Sequence, residues 1–241
     1  MFSENRFFKS SVRHVFNGGH LGVMMGVILG FTLWLSSVAS QAQVAVAGKE
    51  PTRAQAVKAL EQPTALARMQ GAVRLAKIGT MRDADLLAAR LHDDDGRVRE
   101  VAAAAMWEIW SRSGDKAIDT LYQRGVKLMQ ARRLDEAVAA FSDIIKKQPA
   151  FAEAWNKRAT LYFMQGQFDL SLKDCDEVLK RNRNHFGALS GYGQIYIQKR
   201  DYRRAIQYLE RALKVNPNQP GTADTIELLE EKLQEQQRKT I

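Results

Sequence analysis

The chain has 241 residues, 45% of them apolar, with five prolines and a formal charge of +9. That is enough apolar material for one or two packed domains, and the long Ala/Leu/Glu/Lys/Arg stretches favour helix because these side chains lose little rotamer freedom in one. The single cysteine, Cys175, excludes an internal disulfide framework and a multi-cysteine metal site, while the positive charge raises nucleic acid, anionic lipid or acidic peptide as partners.

In chain order, residues 1–42 read as a targeting element. Arg6, Lys9 and Arg13 precede an uncharged run from Leu21 to Ala39, and Ser40-Gln41-Ala42 then offers the small residues of a cleavage site. This is the pattern of a secretory signal. An uncleaved anchor is the alternative, since Leu21–Ala39 approaches the ~20 residues a spanning helix needs. In both cases the positive flank stays in the cytoplasm, so the remainder is expected outside it, exported, periplasmic or held at the membrane by residues 21–39. Residues 43–51 show no period and are expected to form a short tether.

From Thr52 onward the chain scans as helix interrupted at intervals. The run VREVAAAAMWEI places Val98, Val101, Ala102, Ala105, Met106 and Ile109 at spacings of three and four, one helical stripe. Ala67, Arg68, Gly71, Leu75 and Ile78 hold corresponding positions earlier, and Asp93-Asp94-Asp95-Gly96 supplies a turn in which an aspartate caps the following helix. The VR-x-x-A-x-x-A-[LM] run resembles the HEAT-like repeats named after phycobilisome lyases, and residues 52–115 are expected to form such a segment.

A second period starts at Ile118. Pro149 closes a 34-residue frame, and further frames begin at Ala152 and Phe186. Gly125, Leu128, Ala137, Phe141 and Ile144 mark the first frame. Trp155, Ala159, Tyr162 and Val178 mark the second, and Tyr192, Gly193, Tyr196, Ala205, Ala212 and Pro217 the third. This resembles the tetratricopeptide repeat family, with its W-x2-L-G-x2-Y…A-x3-F…P pattern. Ser171, Cys175 and Arg183 depart from it in the second frame, and Cys175 reads as a small core filler. Residues 220–241 follow, with Ile226, Leu229 and Leu233 on one face of a helix and Glu227, Glu230, Glu231 and Glu235 on the other, as a terminal cap needs. The expected fold is therefore all-α, a right-handed solenoid of helical hairpins: a HEAT-like pair, three repeats (118–151, 152–185 and 186–219) and a capping helix.

Nothing in the sequence assembles a catalytic or cofactor site. His14, His20, His92 and His185 are scattered, with His92 at a helix end and His185 in an inter-repeat turn, where solvated or capping roles are expected. The aspartate run lacks the alternation of a calcium loop, and no phosphate-binding or nucleophile-elbow motif occurs. No metal or cofactor is expected. Stacked hairpins instead present a concave surface. The resemblance implies that it is lined by Tyr122, Gln123, Val126 and Met129 in the first frame. Asn156, Lys157, Thr160, Phe163 and Met164 line it in the second, and Ser190, Gln194 and Ile197 in the third. Phe163, Met164, Met129 and Ile197 would then form an exposed apolar strip with amides along it. Family members that grip the terminal carboxylate of heat-shock chaperones carry lysine and asparagine where this chain has Tyr122 and Val126, so that specificity is not implied. Arg132, Arg133, Lys199, Arg200, Arg203 and Arg204 border the hairpin turns as a basic edge suited to an anionic membrane surface rather than nucleic acid. The functional expectation is a non-catalytic adaptor holding a peptide or helix of another protein. Two alternatives are an accessory or lyase-like protein acting on a chromophore-bearing partner, and a structural tether of an envelope complex.

Overall fold

The computed structural model describes residues 50–238, and from Pro51 on they form one compact unit. The expected signal or anchor over 1–42 and most of the tether lie outside the described residues. Among those described, no helix is long and apolar enough to cross a membrane. Eleven α-helices and one 3₁₀ turn make up the described fold, a helical-hairpin solenoid.

The N-terminal segment is α1 (Arg53–Ala59), α2 (Ala65–Ile78), a 3₁₀ turn (Met81–Asp83), α3 (Ala84–Arg90) and α4 (Gly96–Trp110). Side-chain caps start three of the four helices. Thr52 forms a capping box with Gln55, Thr64 caps α2, and Asp95 accepts the Arg97 amide at the start of α4. Helix α1 pairs with α2, α3 with α4, and α2 lies on α4. Two aspartates tie the pairs together: Asp93 takes a two-pronged bond from Arg68 at 2.7 and 2.8 Å, and buried Asp83 pairs with Arg53 and accepts the Thr80 amide. Helix α4 is not amphipathic in place. Besides the expected stripe, Ala103, Ala104 and Trp110 are buried, because a second layer covers its other side.

That second layer is three hairpins: α5 (Lys116–Gln130) with α6 (Leu134–Lys147), α7 (Ala152–Met164) with α8 (Phe168–Arg181), and α9 (Phe186–Gln198) with α10 (Tyr202–Val215). Gly125, Ala159 and Gly193 at the eighth position are all buried where first and second helices meet. Cys175 is buried at 2% exposure, and its thiol is pushed up to about 12 by desolvation, so it packs as a hydrophobe. Successive turns are joined by one recurring contact, Gln165 to Asp135 at 2.7 Å and Lys199 to Asp169 at 2.9 Å. Helix α11 (Thr222–Arg238) packs on α10, burying Leu229 with Ile226 and Leu233 half-buried beside it.

The turns inside the three hairpins share a left-handed residue at the same place in each frame: Arg132 at φ 60°, Gly166 at 72° and Arg200 at 60°. Only Gly166 is free of the Cβ–carbonyl clash that this conformation imposes, roughly 1–2 kcal/mol for other residues. Replacing Arg132 or Arg200 with glycine is therefore expected to stabilise the fold by about 0.5–1 kcal/mol after the entropy of a freer unfolded chain is subtracted, raising Tm by about 1–4 °C. Gly166→Ala should lower it. Thermal unfolding followed by circular dichroism checks the three, and no gain from either arginine would show that the strain is relieved elsewhere.

Candidate functional site

The concave side of the repeats is where the first helices α5, α7 and α9 converge, and its centre is a buried carboxylate. Glu153 is 1% exposed, from the first turn of α7. Lys157, one turn on, donates to its Oε1 at 3.0 Å, and the Asn156 amide reaches both oxygens at 3.2 and 3.1 Å. The Tyr122 hydroxyl of α5 donates at 3.4 Å. His185, in the turn before α9, accepts the Ala188 amide on Nδ1 at 3.1 Å, so Nε2 carries the proton and donates to Glu153 Oε2 at 3.0 Å. Burial pushes Glu153 up, but the Lys157 ammonium and the His185 donor outweigh it and hold the carboxyl at about 2. The Lys157 ammonium is in turn held on by Glu153 against its own desolvation, and burial pushes the Tyr122 phenol up. With both oxygens engaged and no solvent contact, this carboxylate is a structural anion, not a base with a free lone pair.

The N-terminal segment closes over this cluster. Trp110 stacks on His185 with centroids 4.2 Å apart at 22°, and Trp107 meets Phe186 edge-on at 5.3 Å. Lys157 lies 5.4 Å above the Trp107 ring. Gly187 is required here, because a Cβ at that position would come within 2.3 Å of the Trp107 ring. Phe186 consequently belongs to the same apolar core as Leu75, Leu87 and Met106. Arg112 anchors the end of α4 to the Ala76 and Gly79 carbonyls at 2.6 and 2.9 Å, and Gln148 donates to the Ser113 carbonyl at 3.0 Å.

The expected groove residues therefore separate into two groups. Tyr122 at 2%, Asn156 at 7% and Ile197 at 6% exposure are buried, and Lys157 is spent on Glu153, so these four do not offer a surface. The apolar strip is correspondingly less exposed than expected: Met129 packs on the core of the first hairpin, and Phe163 lies against Phe168 at 5.7 Å. Ser190 is 2.7 Å from Gln219 beyond α10. Gln123 is exposed, while Val126, Thr160, Met164 and Gln194 are half-buried, and neither glutamine side chain makes a hydrogen bond among the described residues. The basic edge is half neutralised. Arg133 pairs with Glu136 at 2.5 Å, Lys199 with Asp169 at 2.9 Å, and Arg204 with Asp201 at 2.6 Å while lying over Tyr196. Arg132, Arg200 and Arg203 stay exposed without a salt bridge among the described residues. Sequence reasoning missed the closure and with it the burial of His185. The available signal was Gly187, at a position where the other frames carry Asp119 and Glu153.

Residues 151–218, the second and third frames, match the sequence model of the tetratricopeptide repeat. Over those two frames the chain is similar to tetratricopeptide repeats. A TPR repeat-containing protein of Rhizobium etli is 33% identical over 124 residues, 52% of this chain and 61% of that protein. Hsp70-Hsp90 organizing protein 1 of Glycine max is 24% identical over 111 residues, 46% of this chain and 19% of its own length. The chain thus spans about three fifths or less of these curated relatives. Among solved structures, the first TPR of Spaghetti (RPAP3) bound to an HSP90 peptide is 22% identical with a TM-score of 0.47, covering 48% of this chain and 92% of that one. The Sgt2 TPR domain of Aspergillus fumigatus is 20% identical at 0.48, covering 52% and 83%.

Glu153→Gln keeps the shape of the anionic centre and strands Lys157 beside it, so it is expected to destabilise the protein by about 3–5 kcal/mol, the usual effect of breaking a buried pair. Glu153 has a folded value of about 2 against an ordinary 4.5. Its stabilising contribution is therefore complete above about pH 4.5 and lost as the pH falls toward 2. Urea unfolding of both proteins across that window should show the wild type losing more stability than the variant; parallel curves would rule out Glu153 as the acid-sensitive group.

Proposed function

We propose that the protein is a non-catalytic interaction adaptor, exported or membrane-anchored through residues 1–42, that holds a segment of another protein against the part of the concave face beyond the Trp107–Trp110 closure. The observation that carries this reading is the pairing of half-buried Val126, Met129, Phe163 and Met164 with Gln123 and Gln194, amides that make no hydrogen bond within the fold. An amide with both its donor and its acceptor free can bond the backbone of an extended or helical segment while the apolar side chains cover its flank. The tetratricopeptide repeats support a protein partner, and the HSP90 peptide held by the Spaghetti TPR shows that peptide chemistry for that protein alone. The HEAT-like reading of residues 52–115 belongs to the same proposal and draws on the two helical pairs α1–α2 and α3–α4.

Affinity purification of the full chain from its native membrane fraction, with mass spectrometry, identifies the partner. Gln194→Arg and Gln123→Arg, which add charge to the strip without removing core, should then weaken capture at least tenfold, ~1.4 kcal/mol, with the melting curve unchanged. Full capture by both variants, with loss on charge reversal of Arg203 and Arg204, would move the binding surface to the basic edge.

Export has its own readout. A reporter that works only outside the cytoplasm, fused after Lys49, should be active, and a cytoplasm-only reporter at the same site should be silent. The opposite pattern would exclude the targeting role of residues 1–42.

A further inference from the structure

The first helix of each repeat uses one face to hold the repeat before it. In the second frame that face carries Trp155, Arg158 and Tyr162, and Arg158 reaches back to the Ser142 hydroxyl of α6 at 3.0 Å. In the third it carries Leu189, Tyr192 and Tyr196, and the Tyr192 hydroxyl donates to Asp176 of α8, the equivalent place. The same face of α5 presents Leu121, Arg124 and Leu128, with Lys127 alongside. Among the described residues α5 packs on α6 and lightly on α7, because α4, which precedes it in the chain, lies across the concave side instead of stacking on its outer face. Leu121 and Leu128 are half-buried against their own hairpin, and Arg124 and Lys127 are exposed with no salt bridge.

The other end of the stack has the opposite character. Helix α11 takes the place of a first helix in a fourth repeat, and no second helix follows it among the described residues. Its outward side carries Asp224, Glu227, Glu230 and Glu231, all exposed and, among the described residues, without a salt bridge. Like charges three and four apart weaken a helix, and a cap that served solubility alone would be met as well by mixed signs. The acidic run is opposite in sign to the exposed cations Arg124 and Lys127 on α5.

We propose that the chain associates head to tail with itself, the outer face of α11 in one copy docking on the open face of α5 in the next, with Glu227, Glu230 and Glu231 against Arg124 and Lys127. The two surfaces differ, so the contact is heterologous and leaves a free end at each side, giving linear chains of copies. Exposed charge supplies most of the attraction, which makes the association weak and sensitive to salt.

Sedimentation velocity of the full chain in a non-ionic detergent tests this. At low ionic strength the mean mass should rise with concentration, and in ~0.5 M salt, where the screening length shrinks to a few ångströms, it should stay monomeric. The variant Glu227→Lys/Glu230→Lys/Glu231→Lys and the variant Arg124→Glu/Lys127→Glu should each bind itself at least tenfold more weakly, with helicity retained by circular dichroism. An equal mixture of the two should recover association, because each carries the charge the other needs. Monomers at every concentration, self-association that survives both reversals, or a mixture that stays monomeric would each overturn the proposal.

Discussion

A carboxylate shut away from water has to be surrounded by donors, and Glu153 draws its donors from three places. Tyr122 comes from the first hairpin, Asn156 and Lys157 from the second, and His185 from the turn that opens the third. Uncompensated, such a charge would cost several kcal/mol, so the relative placement of α5, α7 and α9 is constrained by one anion at their meeting point. The indoles of Trp107 and Trp110 complete the enclosure, and their position explains why α4 is buried on nearly every side.

That enclosure determines which part of the concave face stays open. Its lower part, around Glu153 and the start of α9, is filled by the chain's own aromatic rings. What remains open is a mixed strip of thioethers, an aromatic ring and uncommitted amides. Such a surface suits an adaptable contact: thioethers adjust their shape to what they meet, and amides accept either polarity of a backbone group. The outer edge contributes less charge than its composition suggests, since Asp169, Asp201 and Glu136 each take one of its cations.

Much of the fold was legible because a solenoid repeats its local rules. The 34-residue period set out three hairpins, an aspartate of the 93–96 turn marked a helix start, and the two-faced pattern of residues 222–238 announced a helix with Leu229 inward. The site was less legible. Whether Lys157 or Asn156 faces water depends on α4, and nothing near either residue in sequence reports where α4 lies. His185 in a turn reads as solvated or capping; it does cap α9, but its burial follows only once Trp110 is placed on it. Ile197 and Tyr122 follow the groove pattern of the frames but are covered by packing between elements, which no periodicity encodes. The ion pairs of the basic edge escaped for the same reason in part: Asp169 and Lys199 are on different repeats.

The fold-back of α4 also changes how the molecule comes apart. A plain repeat array holds each unit only by its neighbours, so it frays from an end and its units melt almost independently. Here Trp110 touches His185 across 75 positions of sequence, and the core of the N-terminal segment includes Phe186. Peeling away the last repeat would take Phe186 out of the core of the N-terminal segment, and loosening that segment would expose the start of α9. A chain built from local hairpins is thereby closed into a loop of contacts, which favours a single concerted melt over stepwise fraying and slows folding by the time needed to bring distant segments together.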